Sequence, residues 1–124
     1  MRITRFLAAG AVAAAFAVAG CGSGASPGAA QQVQHVTITG TSALRFSPMT
    51  VHVRPGTVRV TLADMGAYPH NIVIPALKLT SGTVTGDPGS GTISFTVTFP
   101  RAGRYAFHCQ YHQSAGMTGV FDVS

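Results

Sequence analysis

Residues 107–117 read FHCQYHQSAGM and bring a thiol, an imidazole and a thioether together after a strand-like run. A blue copper ion is held by two His nitrogens and one Cys sulfur in a trigonal plane, with Met as a weak and distant axial ligand. Cys109, His112 and Met117 are three of these four donors. The segment therefore predicts a copper site that takes its second imidazole from elsewhere in the chain.

The second imidazole is predicted in the segment YPHNIVI, residues 68–74. His70 opens a strand-like apolar run there, after a loop that contains glycine and proline. An isolated His in such a place is more often an interior residue bonded to the backbone. The neighbours Pro69 and Asn71, followed at once by a strand, favour ligation by His70 instead.

The spacing of these residues resembles that of the cupredoxins, and within them the plastocyanin-like group, whose C-terminal loop spaces its ligands Cys-x2-His-x4-Met. Residues 109–117 show this spacing, and residues 115–119 carry the Ala-Gly-Met-x-Gly run that plastocyanins often have here. The resemblance covers residues 33–124. It implies an all-β fold, a cupredoxin-like Greek-key β-sandwich of about seven to eight strands that binds one type 1 copper ion.

The resemblance also assigns roles to single residues. It makes His70, Cys109 and His112 the strong metal ligands and Met117 the axial ligand. Asn71 lies beside the first His ligand, where the family uses a backbone N–H to hydrogen-bond the thiolate. We expect Asn71 and the preceding Pro69 to support the ligands from a second layer.

The N-terminus predicts export from the cytoplasm. Arg2 and Arg5 precede an apolar run, residues 6–19, which is too short to span a bilayer comfortably. The run ends in Val-Ala-Gly-Cys, which looks like a bacterial lipoprotein box. We therefore expect residues 1–20 to be a lipoprotein signal peptide and Cys21 to be lipidated, the alternatives being an ordinary signal peptide or an anchor helix. Two acyl chains on Cys21 would meet the requirement for stable anchoring.

The rest of the chain divides into a tether and one domain. Residues 21–32 are small and polar, as in a flexible linker, which leaves about 92 residues, 33–124, for a single core. We expect this domain on the extracytoplasmic face of the cell membrane, periplasmic or outer. Without residues 1–20 the chain has six basic and three acidic residues. These charges are scattered, so no nucleic acid partner is expected.

Cysteine usage supports a metal site. If Cys21 carries lipid, Cys109 has no disulfide partner in an oxidising compartment, where a free thiol is a liability. Metal ligation by Cys109 would remove that liability. The alternative is an inert buried cysteine that packs as a small apolar side chain.

Alternating apolar and polar residues predict half-buried strands at 51–54, 58–62 and 93–99. Residues two apart share one face of a strand, so Cys109 points inward with Phe107. The same count places His70 and Met117 on inward faces, while His112 lies in the loop. His35 and His52 fall on outward faces as surface residues. Residues 75–91 fit a long connection with one short strand or a helix.

Other metal sites lack the residues they need. A binuclear copper centre requires two thiolates, a red copper site requires Glu, and the domain has one Cys while the chain has no Glu. Structural zinc takes four Cys or His ligands rather than a thioether. Copper fits the softness of the donors best.

Two functional classes follow. The favoured one is an extracytoplasmic type 1 copper electron-transfer protein, cycling Cu(I)/Cu(II) between redox partners such as a cytochrome, oxidase or reductase. The alternative is a copper delivery or storage lipoprotein. An enzyme is not expected, because no Ser/His/Asp set, carboxylate pair or phosphate loop occurs.

We expect a monomer in which electrons pass at His112, with His108 as a surface imidazole or a second electron route. Apolar or small residues would ring His112: Met65, Gly66, Ala67, Tyr68, Tyr111, Ala115 and Gly116.

Overall fold

The alternating segments form strands in the computed structural model, which describes residues 32–85 and 91–124. The predicted signal peptide, the predicted lipidation site at Cys21, nearly all of the predicted linker and residues 86–90 of the connection 75–91 lie outside these residues. Nine strands occur in the described part: β1 Gln34–Gly40, β2 Phe46–Ser47, β3 Thr50–Val53, β4 Gly56–Asp64, β5 Val73–Ile74, β6 Leu79–Thr80, β7 Gly91–Phe99, β8 Gly103–His108 and β9 Thr118–Val123. Two short 3₁₀ helices, Pro75–Leu77 and Gln113–Ala115, complete the elements.

The strands form two sheets, with the order β2-β1-β4-β7 in one and β3-β9-β8-β5-β6 in the other. The β1–β4 and β3–β9 pairs are parallel and the other pairs are antiparallel. This arrangement confirms the predicted all-β sandwich. Nine strands are described, rather than the predicted seven to eight, because very short strands are included. These two-residue strands are β2, β5 and β6. Within the described ranges, no helix has the length and apolar character to cross a bilayer.

Aromatic rings fill the space between the two sheets. Phe121 of β9 is fully buried, and its ring centroid lies 4.9 Å from that of Phe107 and 5.0 Å from that of Phe99. Phe46 packs on the other side of Phe107 at 5.1 Å. Tilted aromatic pairs at such distances stabilise a core beyond the area they bury. Because Phe107 lies two residues before Cys109, this cluster supports the strand that leads into the candidate site.

The connection after β5 folds back along the segment that carries His70. The backbone of His70 exchanges two hydrogen bonds of 2.9 Å with Val84, and the Ile72 N–H donates to Ser81 Oγ at 2.8 Å. The segment that the sequence left open between helix and strand thus contains a 3₁₀ turn, β6 and an isolated bridge. These bonds fix the backbone at His70 itself and at Ile72, two residues later.

The ligand-bearing segments meet at one end of the sandwich, here named the site end. Gly40 ends β1 opposite Asp64, which ends β4, and His108 ends β8 opposite Thr118, which begins β9. The first residues of β1 and β8 lie at the opposite end. Loops at the site end can therefore project several side chains toward one point.

Candidate metal centre

Three nitrogen and sulfur donors from two segments converge at the site end. The candidate ligand atoms of His70, Cys109 and His112 lie within 4.8 Å of one another. Cys109 Sγ is 4.0 Å from His70 Nδ1 and 3.7 Å from His112 Nδ1. Both imidazoles therefore turn the same nitrogen toward the thiol. The prediction that residues 39 apart in sequence meet here is confirmed.

The four candidate ligands differ in how far they are buried. His70, Cys109 and Met117 are fully buried, as the count along the strands predicted. His112 is partly exposed. Cys109 is a free cysteine, with no disulfide among the residues that the structure describes. The centre is therefore closed to water on three sides and reaches the surface at one imidazole.

The loop between Cys109 and Met117 is closed by its own backbone. His112 N–H donates to the Cys109 carbonyl at 3.3 Å, and Met117 N–H donates to the His112 carbonyl at 3.2 Å. Cys109 N–H donates in turn to the Met117 carbonyl at 3.1 Å. Gly116 has φ of 90°, a left-handed conformation that favours glycine and ends the short 3₁₀ turn. These bonds bring the three spaced residues to one place.

Arg45, directly before β2, connects the same loop to the sheet that contains β2. Its Nη1 donates to the Ala115 carbonyl at 2.6 Å and to the Leu44 carbonyl at 3.0 Å. A Cβ added to Gly116 would lie 3.2 Å from that Nη1, so the glycine leaves room for the guanidinium. The sequence carried no sign of this contact, because Arg45 lies 70 residues from Ala115.

Asn71 joins the two ligand-bearing segments through its side chain. Its Nδ2 donates to Gln110 Oε1 at 2.8 Å, and the Gln110 N–H donates to Asn71 Oδ1 at 3.0 Å. The described residues show no hydrogen bond from the Asn71 backbone to Cys109 Sγ. Pro69 precedes His70 without a polar contact of its own in this part of the chain. Gln110 was missed in the sequence, although its place directly after Cys109 was a signal.

A buried carboxylate lies behind His70. Asp64 Oδ1 is 3.8 Å from His70 Nε2, and neither side chain is exposed. Oδ1 accepts a hydrogen bond of 2.8 Å from the Gly66 N–H, whereas Asp64 Oδ2 and His70 Nε2 have no partner among the described residues. Asp64 was not among the residues predicted from the sequence. Its phase with Val60 and Leu62, both fully buried, was the available signal.

The surroundings of His70 shift its affinity for protons. Burial lowers the pKa of His70 below its ordinary value of 6.5. The Asp64 carboxylate opposes this lowering of the pKa, as does the Thr41 backbone, while His112 adds to it. Burial has the largest effect, so the folded protein favours the neutral imidazole, which is the form that ligates metals.

The metal-free protein should lose stability as the pH falls below 6.5. The unfolded chain then binds the proton that folded His70 rejects, so unfolding becomes more favourable down to the lowered pKa of the folded state. One proton limits the slope to about 1.4 kcal/mol per pH unit. Urea unfolding at pH values around 6.5 measures this slope. His70→Gln should flatten it, and the exposed His35→Gln should keep it; equal slopes in both variants would contradict the assignment.

Three exposed apolar side chains lie at the site end, and two of them flank His112. Met65 is 74% exposed, Tyr68 52% and Tyr111 44%. The ring centroids of Tyr68 and Tyr111 lie 5.9 and 6.4 Å from that of His112. These three residues are named the apolar rim. The other predicted members are also exposed or partly exposed: Gly66, Ala67, Ala115 and Gly116. His108 is partly exposed at the end of β8.

The donors fit copper by their chemistry. A buried free thiol and two imidazole nitrogens converge, with a buried thioether in the same closed loop, and this mixture of soft and borderline donors suits copper. A model of the copper binding proteins of the plastocyanin/azurin family matches residues 32–124. The chain belongs to this family. The predicted cofactor, copper, is confirmed on that basis, and His70, Cys109, His112 and Met117 form a cluster like a type 1 copper site.

Individual members of the plastocyanin/azurin family show how far the similarity extends. The chloroplastic plastocyanin of Physcomitrium patens is 36% identical over 88 residues, which cover 66% of this chain and 52% of that protein. The plastocyanin of Daucus carota is 34% identical over 89 residues, covering 66% and 90%. This chain spans only 52% and 57% of the chloroplastic plastocyanins of Physcomitrium patens and Tetradesmus obliquus.

Solved structures of family members share the fold. Auracyanin of Roseiflexus castenholzii matches with a TM-score of 0.60 and 23% identity, over 73% of this chain and 97% of that one. Plastocyanin of Dryopteris crassirhizoma matches with a TM-score of 0.54 and 24% identity, over 72% and 100%. The cupredoxin sandwich predicted from the sequence is therefore confirmed.

Proposed function

We propose that this protein is an electron carrier rather than an enzyme, with His70, Cys109, His112 and Met117 as the ligands of one type 1 copper ion. The observation that carries the proposal is the convergence of two imidazole nitrogens and one thiol within 4.8 Å. When bound, copper supplies a one-electron couple, Cu(I)/Cu(II). The chain supplies a rigid cage, since each ligand lies on a strand or in a hydrogen-bonded loop.

Rigidity at the ligands is what this function requires from the protein. Hydrogen bonds hold His70 to Val84 and close the loop from Cys109 to Met117, so the donors change little between the two charge states. Four protein ligands also leave no open position where a substrate would bind. The partly exposed His112 then gives the short path between the buried donors and a docked partner.

Visible absorption and EPR spectra of the protein after addition of Cu(II) test the proposed function. An electron carrier should develop an intense thiolate-to-copper band that ascorbate bleaches and ferricyanide restores. A copper delivery or storage protein, the second candidate, should remain colourless and hold Cu(I) only. The described residues lack the Met-rich or paired-Cys arrangement that easy release of Cu(I) favours, so we favour the carrier.

The apolar rim is the proposed docking surface for redox proteins such as a cytochrome, oxidase or reductase. We expect Met65→Lys to slow electron self-exchange by about tenfold, because it places like charges face to face where two copies meet. NMR line broadening in mixtures of oxidised and reduced protein measures this rate. Val33→Lys adds the same charge to a side chain 46% exposed before β1, at the opposite end. Equal slowing by both variants would contradict docking at the rim.

Membrane attachment is a separate part of the proposal. The sequence Val-Ala-Gly-Cys at 18–21 supports cleavage before Cys21 and lipidation of that residue, on an extracytoplasmic membrane face. Labelling cells with a radioactive fatty acid should mark the wild-type protein and not Cys21→Ala. Label retained by the variant would contradict lipidation at Cys21. Sedimentation of the purified soluble domain tests the expected monomer.

A further inference from the structure

Asp64 occupies the most unusual environment among the described polar residues. It ends β4 on an inward face, its side chain is fully buried, and no lysine or arginine pairs with it in the described part of the chain. A buried carboxylate without a cation is strongly unfavourable unless a positive centre or hydrogen bonds compensate it. Within residues 32–85 and 91–124, the Gly66 N–H is the one donor to Asp64, and Oδ2 has no partner.

His70 Nε2 also has no hydrogen-bond partner in the described part of the chain. His70 Nε2 lies 3.8 Å from Asp64 Oδ1, while the other ring nitrogen, Nδ1, faces the Cys109 thiol. A neutral imidazole carries its proton on one nitrogen and keeps a lone pair on the other. With the proton on Nε2, toward the carboxylate, the lone pair on Nδ1 points at the metal centre.

Two glycines leave the space for this pair. Gly40 of β1 and Gly91 of β7 are the cross-strand neighbours of Asp64 on its two sides. A Cβ on Gly40 would lie 2.5 Å from His70 Cδ2, and a Cβ on Gly91 would lie 2.9 Å from Asp64 Cβ. Larger residues at either position would push the imidazole and the carboxylate from their places. The sheet is therefore shaped to admit both groups.

We propose that Asp64 is a positioning residue for His70, and that its buried charge favours the oxidised state of the copper centre. This inference rests on the proposed function. The carboxylate charge, 3.8 Å from Nε2, favours the proton on that nitrogen and so leaves the lone pair of Nδ1 toward the metal. Its negative charge, added to that of the Cys109 thiolate, balances Cu(II) to a net charge of zero. The same two groups leave Cu(I) with a net charge of −1, which a buried site tolerates less well.

Asp64→Asn separates the two parts of this role. The amide oxygen can still accept from the Gly66 N–H and keeps a dipole beside His70 Nε2, but the charge is gone. We expect the affinity for Cu(II) relative to Cu(I) to fall about tenfold, which raises the reduction potential by about 59 mV. Asp64→Ala also removes the polar oxygen beside His70 Nε2, and we expect copper affinity to fall about 10–100-fold, with an altered EPR hyperfine pattern.

Asp122→Asn is the matched control. It removes the same charge from a carboxylate that lies 3.5 Å from His52, toward the end opposite the site. Its reduction potential should equal that of the wild type. A potential of Asp64→Asn that is unchanged, or shifted no more than that of Asp122→Asn, would overturn the charge effect. If the wild type forms no blue centre at all, the proposed function fails instead, so the two failures are distinguishable.

A measurement on the wild type alone guards against variants that do not fold. In the Cu(I) protein, ¹H–¹⁵N correlation spectra of the imidazoles should show the His70 proton on Nε2, protected from solvent exchange. A spectrum that shows no proton on His70 Nε2 would overturn the positioning role. Where Asp64→Ala folds, the same proton should exchange faster in it.

Discussion

Cys109→Ser should bind Cu(II) without the intense visible absorption of the wild-type protein. The absorption arises from charge transfer out of a thiolate, and a serine hydroxyl is neither charged nor soft. Loss of a residue that supports a metal ligand typically lowers metal affinity about 10–100-fold. Cys109→Ser removes a ligand itself, so we expect a larger fall in the affinity for Cu(II). Serine is close to cysteine in size, so the fully buried position should still fold. Absorption spectra and copper competition with a chelator measure the two effects.

The second cysteine provides the control for that experiment. Cys21→Ser changes the other thiol in the chain and lies in the predicted lipidation site, far along the sequence from the ligand cluster. Its copper-loaded spectrum should equal that of the wild type. Thermal unfolding of the metal-free Cys109→Ser protein then separates loss of a ligand from loss of the fold. A blue Cys109→Ser protein would rule out the thiolate as a ligand.

Phe121→Ala should destabilise the metal-free protein by about 3–5 kcal/mol, since it leaves a cavity among closely packed rings. Phe121 is fully buried between Phe99 and Phe107, at centroid distances of 5.0 and 4.9 Å. For a domain of this size, such a loss lowers the melting temperature by at least about 12 °C. Calorimetry of the metal-free protein avoids the added stability that bound metal would give.

The control for Phe121→Ala is a change at an exposed apolar residue. Val33→Ala, at a side chain 46% exposed, should alter stability by less than about 0.5 kcal/mol. The Phe121 variant should also bind copper less tightly, because Phe107, which supports Cys109 from two residues away, loses one of its two ring partners. A loss below about 1 kcal/mol would show that the neighbouring rings close the cavity.

Much of the fold and of the candidate site follows from local patterns. The alternation in residues 58–62 and 93–99 predicted β4 and β7, and counting by twos predicted the inward positions of Cys109 and Met117. The spacing within residues 109–117 predicted their proximity, because backbone hydrogen bonds inside that loop depend on few residues. The two-residue strands β2, β5 and β6 are too short to show a pattern.

Long-range contacts account for what the sequence did not predict. Arg45 meets Ala115 across 70 residues, and Asn71 meets Gln110 across 39. Such pairs depend on how the two sheets pack, which no periodicity encodes. The inward position of Asp64 could be read from the alternation along β4. Its role could not, because that role depends on the proximity of His70, which only the fold creates.

The direction of β1 has a consequence for how the protein would meet other molecules. Residue 34 begins β1 at the pole remote from His112, so whatever precedes the domain joins it there. Attachment through the proposed lipid at Cys21 would therefore enter the domain at the end remote from the apolar rim. The proposed redox partners would then meet the apolar rim at the end of the domain away from that attachment.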